Sequence, residues 1–254
     1  RLQDATTPSQ ATRELERLLQ VPVTVTSLLD DLLVACTPKQ RALLSQIAAL
    51  PRFDDDLLRK LGWSDGVAGL RELGLPLRES GALRLPVVVA EALDPATFDP
   101  PTLRLVADHY RNEGAIEVAL QVVMAAEDPG VLAAWLADLS PAETADLDPV
   151  EHADAIAHLN DTHLREHPVI LLRLADAYGL AGRADRYVMT VERAEALVAD
   201  RDEDDPQRLH VRATTLVKQT AVGSIAANAD AVEEFLAQPN LPEMAYARAL
   251  TALG

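Results

Sequence analysis

The chain has 254 residues and a formal net charge of −17; 48% of it is hydrophobic but only 4% aromatic, so its apolar mass is Ala, Leu and Val. Such a composition suits helices packed closely through small side chains and argues against barrels and sandwiches. The acidic charge speaks against duplex DNA as a direct partner, because DNA binding needs clustered Lys and Arg to displace phosphate counterions.

The single Cys36 rules out an internal disulfide framework and a Cys-rich zinc site, and it fits a cytoplasmic location. Arg1 to Gln20 is polar and charged and lacks the apolar core of a signal peptide. No uncharged apolar run approaches the ~20 residues that span a bilayer, so no membrane partner is expected. The start without Met and the end at Ala252-Leu253-Gly254, inside a helical pattern, suggest a part of something longer.

In chain order, residues 1–24 read as a helical lead-in that ends near Val21-Pro22-Val23. Residues 25–96 form the first domain. Its apolar positions Leu28, Leu29, Leu32 and Leu33 recur at helical spacing. Thr37-Pro38 is an N-cap followed by Pro at the first helical position, opening a helix through Leu43, Leu44, Ile47 and Leu50 that Pro51 closes. Asp54 to Leu61 predicts a short helix with three Asp at its positive end, and Gly62 ends it. Ser64 is placed to cap the next helix, which carries Val67, Leu70 and Leu73 before Gly74. Leu75, Leu77, Gly81, Leu83 and Leu85 then alternate around the polar turn Glu79-Ser80-Gly81, which predicts a short hairpin.

Three helices followed by a two-stranded wing make a winged helix, a fold that often binds DNA. Here the eight bases Lys39, Arg41, Arg52, Arg59, Lys60, Arg71, Arg78 and Arg84 are offset by Asp54, Asp55, Asp56, Asp65, Glu72, Glu79, Glu91 and Asp94. The second and third helices, where a reading head would lie, carry three of the bases and five of the acids. No direct DNA contact is expected of this chain.

Pro95 to Pro101 reads as a proline-bearing linker, and residues 102–254 as helical hairpins. Ala107-Asp108-His109-Tyr110 with Gly114 returns 68 residues later as Ala175-Asp176-Ala177-Tyr178 with Gly182. Two units of roughly 34 residues fill that interval, the period of the tetratricopeptide helix-turn-helix repeat. In such a hairpin the Ala admits a neighbouring helix, the Tyr fills the space beside it, and the Gly ends the first helix. The predicted hairpins are Thr102–Arg111 with Ile116–Ala126 and Pro168–Ala181 with Asp185–Ala199, separated by a degenerate unit, Val131–Leu159, with caps at Ser140-Pro141 and Asp148-Pro149. A further hairpin runs from Pro206 through Gly223 to Leu236, and Leu241–Gly254 begins one more. The interval from Gly182 to Gly223 is 41 residues, so the array is irregular.

Few residues offer chemistry. His163-Leu-Arg-Glu166-His167 matches the H-x-x-E-H string of inverzincin peptidases, but Pro168 disfavours helical geometry at His167, and the string should straddle a helix end. His109, His152 and His158 lack ligand spacing and read as surface or capping residues. The acids Asp200, Asp202, Glu203, Asp204 and Asp205 lack the central Gly and distal Glu of a calcium loop and read as a solvated link. No phosphate-cradling glycine loop and no Gly-x-Ser-x-Gly elbow occurs, and Cys36 reads as a buried structural thiol. Neither catalytic residue, cofactor site nor metal site is therefore expected. What remains is the groove face of the repeats. Leu172, Asp176 and Leu180 are assigned to it in one hairpin and Arg104, Asp108 and Asn112 in the other, as candidate contacts for an effector or peptide.

The order of modules resembles the middle of the large bacterial STAND signal-transduction ATPases, specifically MalT-like regulators that end in a LuxR-type helix-turn-helix. The echoes are Leu44-Ser-Gln-Ile-Ala-Ala-Leu50, Leu70-Arg-Glu-Leu-Gly-Leu75, Asp108-His-Tyr-Arg-Asn-Glu-Gly-Ala-Ile-Glu-Val-Ala119 and Leu172-Arg-Leu-Ala-Asp-Ala-Tyr178, over about residues 28–254. Val87-Val-Val-Ala-Glu-Ala-Leu93 departs from the family in lacking its aromatic and His cluster. The resemblance implies an all-α, non-catalytic segment. Its winged helix would pack on an ATP-binding module outside this chain to hold the off state, and its repeats would sense a small-molecule inducer or a regulatory protein. A free-standing tetratricopeptide adaptor is the rival.

Overall fold

The computed structural model describes residues 33–34, 36–79, 83–222 and 225–252. The lead-in, most of the apolar stretch from Leu28, and the turn Ser80–Gly81 lie outside them. The described chain is mostly helical and divides into two compact units, one ending at Ala126 and the other starting at Glu127. No described helix is long and apolar enough to cross a membrane.

In the first unit, α1 (Pro38–Ala48) opens on a capping box: the Gln40 N–H donates to Thr37 Oγ1 at 3.3 Å and the Thr37 N–H to Gln40 Oε1 at 2.9 Å. α2 (Asp55–Lys60) is capped by Asp54, whose Oδ1 accepts the Leu57 N–H at 2.7 Å. α3 (Gly66–Glu72) corrects the expected Ser64 cap. Asp65 occupies the N-cap position without a side-chain cap bond, and Asp55 of α2 accepts the Val67 N–H at 2.7 Å instead. A carboxylate from a neighbouring helix serves the orphan donor better because Gly66, at φ +57°, has no Cβ to keep it away; a Cβ there would lie 2.1 Å from Asp55 Oδ1.

β1 (Arg78–Glu79) and β2 (Leu83–Arg84) pair antiparallel, Arg78 opposite Arg84 and Glu79 opposite Leu83. Phe53 adds an isolated bridge to Leu83, its N–H donating to the Leu83 carbonyl at 2.8 Å. After α4 (Val87–Ala92), the Ala96 N–H donates to the Ser45 carbonyl at 3.1 Å and Ser45 Oγ donates to the Asp94 carbonyl. The proline-bearing segment is thus stitched to α1 rather than running free.

α5 (Pro100–Asn112) and α6 (Ile116–Met124) complete this unit. The compact unit thus runs on past the 95–101 segment to Ala126. Tyr110 is one reason: its ring is fully buried, and its hydroxyl donates to the Arg52 carbonyl, 58 residues earlier.

The second unit opens with three helices over the stretch of the degenerate unit: α7 (Pro129–Asp138), α8 (Pro141–Ala145) and α9 (Pro149–Ala157). Ser140 and Asp148 cap the latter two as their sequence indicates. α10 (Asp161–Glu166) ends before His167, which departs to φ −131°, so the His163–His167 string does straddle a helix end. α11 (Val169–Leu180) and α12 (Ala184–Val198) form a hairpin, and α13 (Pro206–Val222), α14 (Ile225–Leu236) and α15 (Glu243–Leu250) enclose Leu209, Ala213, Val232, Phe235, Ala245 and Ala249.

The two copies of the repeated signature end alike. Gly114 at φ +71° and Gly182 at φ +69° follow their helices, and in each case the next residue closes the turn: Ala115 N–H to the Tyr110 carbonyl and Arg183 N–H to the Tyr178 carbonyl, both 2.8 Å. This is the Schellman pattern, which a side chain with a Cβ resists at the left-handed position. Two histidines depart from their expected surface placement. His109 and His152 are buried, because α5 and α9 turn them toward packed neighbours; His158, the C-cap of α9, is a capping residue at the surface.

Candidate functional site

A cavity of about 590 Å³ in the second unit opens beside α11. Ligand pockets commonly run ~300–1,000 Å³. Arg173, Asp176, Ala177 and Leu180 line it from one stripe of α11, at the three- and four-residue spacing that puts side chains on one helix face. Small residues keep the space open where the hairpin turns: Gly179, Gly182 and Ala184. Tyr187 comes from α12, Thr144 and Ala145 from α8, Val217 from α13 and Arg248 from α15.

Polar groups gather at one part of this mostly apolar wall. Asp176 Oδ1 accepts a hydrogen bond from an Arg248 guanidinium nitrogen, and the Arg248 Nε is buried without a partner among the described residues. Arg173 Nη1 donates to the carbonyls of Leu136 and Ala137, both at 2.8 Å, and so serves orphan acceptors at the end of α7. Burial raises the pKa of the Tyr187 phenol, with Arg248 opposing and Asp176 adding to the shift. Burial lowers that of His210, and the nearby Arg248 and Arg173 lower it further against Asp176. The site offers a hydroxyl, a phenol, a carboxylate and guanidinium groups along an apolar slot, and can hold a compact ligand with an apolar body and one polar end.

Of the six groove residues assigned from sequence, Asp176 and Leu180 line this cavity. Leu172 does not. It is 3% exposed, because α7, α8, α9, α12 and α13 all pack against α11 and leave no open face at that position. Arg104, Asp108 and Asn112 belong to the first unit and lie on the outer face of α5, where Arg104 Nε stands 3.8 Å from Asp108 as a solvated i,i+4 pair.

Sequence reasoning missed Arg173, Tyr187, Thr144 and Arg248. Arg173 precedes Asp176 by three residues on the same helix and could have been found from that spacing. Arg248 lies 72 residues beyond Asp176 and leaves no local signal. No protein-family model, no curated protein and no solved structure matches the chain.

Proposed function

We propose that the chain is the non-catalytic sensor and regulatory segment of a bacterial STAND-type transcriptional regulator. In this reading α1 to α3 with the β1–β2 hairpin are a winged helix that packs against an ATP-binding module in the off state. The helical hairpins are tetratricopeptide-like repeats that bind an inducer or a regulatory protein, and DNA is contacted elsewhere in the regulator. The observation that carries the reading is the cavity at the second copy of the repeated signature, where Asp176 and Arg248 give an apolar slot a polar end. A sensor needs such a pocket; its polar pair would orient an effector while the small residues of the hairpin turn admit it.

The adaptor reading is favoured by a different observation. Leu180 and Met189 are large, apolar and exposed, as a docking face for another protein would be. The complete reading frame tests the choice. A phosphate-binding loop upstream and a helix-turn-helix downstream, with ATP and promoter binding by the purified full-length protein, support the regulator. A frame holding only helical repeats overturns it in favour of the adaptor.

A further inference from the structure

Away from that cavity, in the first unit, three metal-ligating side chains converge on one point. Asp54 precedes α2, His109 is on α5, and Glu113, one turn later, is the C-cap of that helix. One donor atom of each lies within 4.8 Å of the other two. His109 is 5% exposed, and its Nε2 stands 3.4 Å from Asp54 Oδ2 and 3.6 Å from Glu113 Oε1.

Both distances suit shared ligation better than hydrogen bonding. A charge-assisted N–H···O bond runs about 2.7–2.9 Å. Ligand atoms at about 2.1 Å from a tetrahedral ion stand roughly 3.4 Å apart.

Each carboxylate is also held by its other oxygen. Asp54 Oδ1 accepts the Leu57 N–H at 2.7 Å, and Glu113 Oε2 faces the Arg52 guanidinium at 3.5 Å. The oxygens turned toward Nε2 are therefore positioned by the fold before any ion arrives. On the far side of the ring, His109 Nδ1 is 3.6 Å from Asp56 Oδ2, while Lys60 Nζ stands 3.5 Å from Nδ1 and 2.6 Å from that same carboxylate. A recess of about 290 Å³, lined by Arg52, Leu83 and Tyr110 as well as the three ligands, gives an ion access and leaves room for water.

We propose that Asp54, His109 and Glu113 form a binding site for a divalent transition-metal ion such as Zn²⁺, with water completing the coordination. One imidazole and two carboxylates suit Zn²⁺ at near-tetrahedral spacing. The ion would clamp the start of α2 to α5. This proposal is independent of the effector cavity.

The test is a calorimetric titration of Zn²⁺ into the chelator-treated chain, with Co²⁺ absorption as a second readout. One equivalent should bind at micromolar or lower Kd, and Co²⁺ should give the visible bands of a four- or five-coordinate ion. His109→Ala removes a buried side chain and risks the fold, so Asp54→Asn, which keeps the helix cap, and Glu113→Gln are the informative variants. Each should weaken binding at least about tenfold, while His163→Gln leaves it unchanged. No binding at 100 μM Zn²⁺, or binding that both variants leave intact, would overturn the proposal and leave the cluster as an ion-pair network.

Discussion

Asp176 on α11 and Arg248 on α15 form an ion pair across 72 residues of chain, at the polar end of the cavity that α11 lines. The Asp176 side chain is 41% exposed and that of Arg248 24%, so solvent screens the pair from one side only. By contrast Asp108, at the equivalent position of the earlier copy, faces Arg104 of its own helix at 3.8 Å. The same letter in the same motif thus has two different environments.

A double-mutant cycle of Asp176→Ala with Arg248→Ala should give a coupling of about 0.5–1 kcal/mol in chemical denaturation, near the top of the range for exposed pairs because one partner is partly enclosed. Asp108→Ala should stay within about 0.5 kcal/mol of the parent. A coupling indistinguishable from zero would show that the pair is not held in solution.

Tyr110 and Tyr178 supply a second comparison. Both rings are buried in their helices, so Tyr→Ala at either position should cost about 3–5 kcal/mol. Tyr110→Phe keeps the ring and loses only the bond to the Arg52 carbonyl, for about 1 kcal/mol. Urea denaturation of the three variants reads this directly. A harmless Tyr110→Ala would mean that α5 does not pack as described.

Acid should act through His152. Burial, then the neighbouring Arg173, push its pKa down from 6.5 to about 4, and its Nδ1 is buried without a partner among the described residues. Between those two values the unfolded chain binds a proton that the folded chain refuses. The neutral imidazole is therefore no liability above pH 6.5, and stability falls as the pH drops from 6.5 toward 4, by on the order of 3 kcal/mol. His152→Leu should flatten this slope in denaturation curves taken across that range. An unchanged slope would place the acid sensitivity elsewhere, with His210, also shifted downward, the next group to replace.

Gly66→Ala tests the unusual cap of α3. The new Cβ would press on Asp55 Oδ1 and occupy a left-handed backbone position. A loss of about 1–3 kcal/mol is expected. If thermal unfolding shows no loss, Asp55 does not cap Val67 in solution.

For nucleic acid and nucleotide the expected result is negative. With a net charge of −17 and no phosphate-cradling loop, the chain should show neither duplex DNA nor ATP binding at about 150 mM salt. Fluorescence anisotropy with labelled duplex and with a nucleotide analogue checks both, and a micromolar Kd for either would sink the expectation.

Local chemistry was legible in the sequence. Thr37, Ser140 and Asp148 cap the helices they precede, and Gly114 and Gly182 end theirs in left-handed turns, because capping and turn formation depend on residues within one helical turn of each other. The repeated Ala, Tyr and Gly likewise marked two hairpins, since their spacing sets which side chains share a face. Tertiary structure alone decided that Asp55 caps α3, that Leu172 is enclosed while Asp176 is not, that Tyr110 ties α5 to the loop before α2, and that His109 meets Asp54. Each of these joins groups from different helices, and packing between elements distant along the chain imposes no periodicity on the sequence that a local reading can detect.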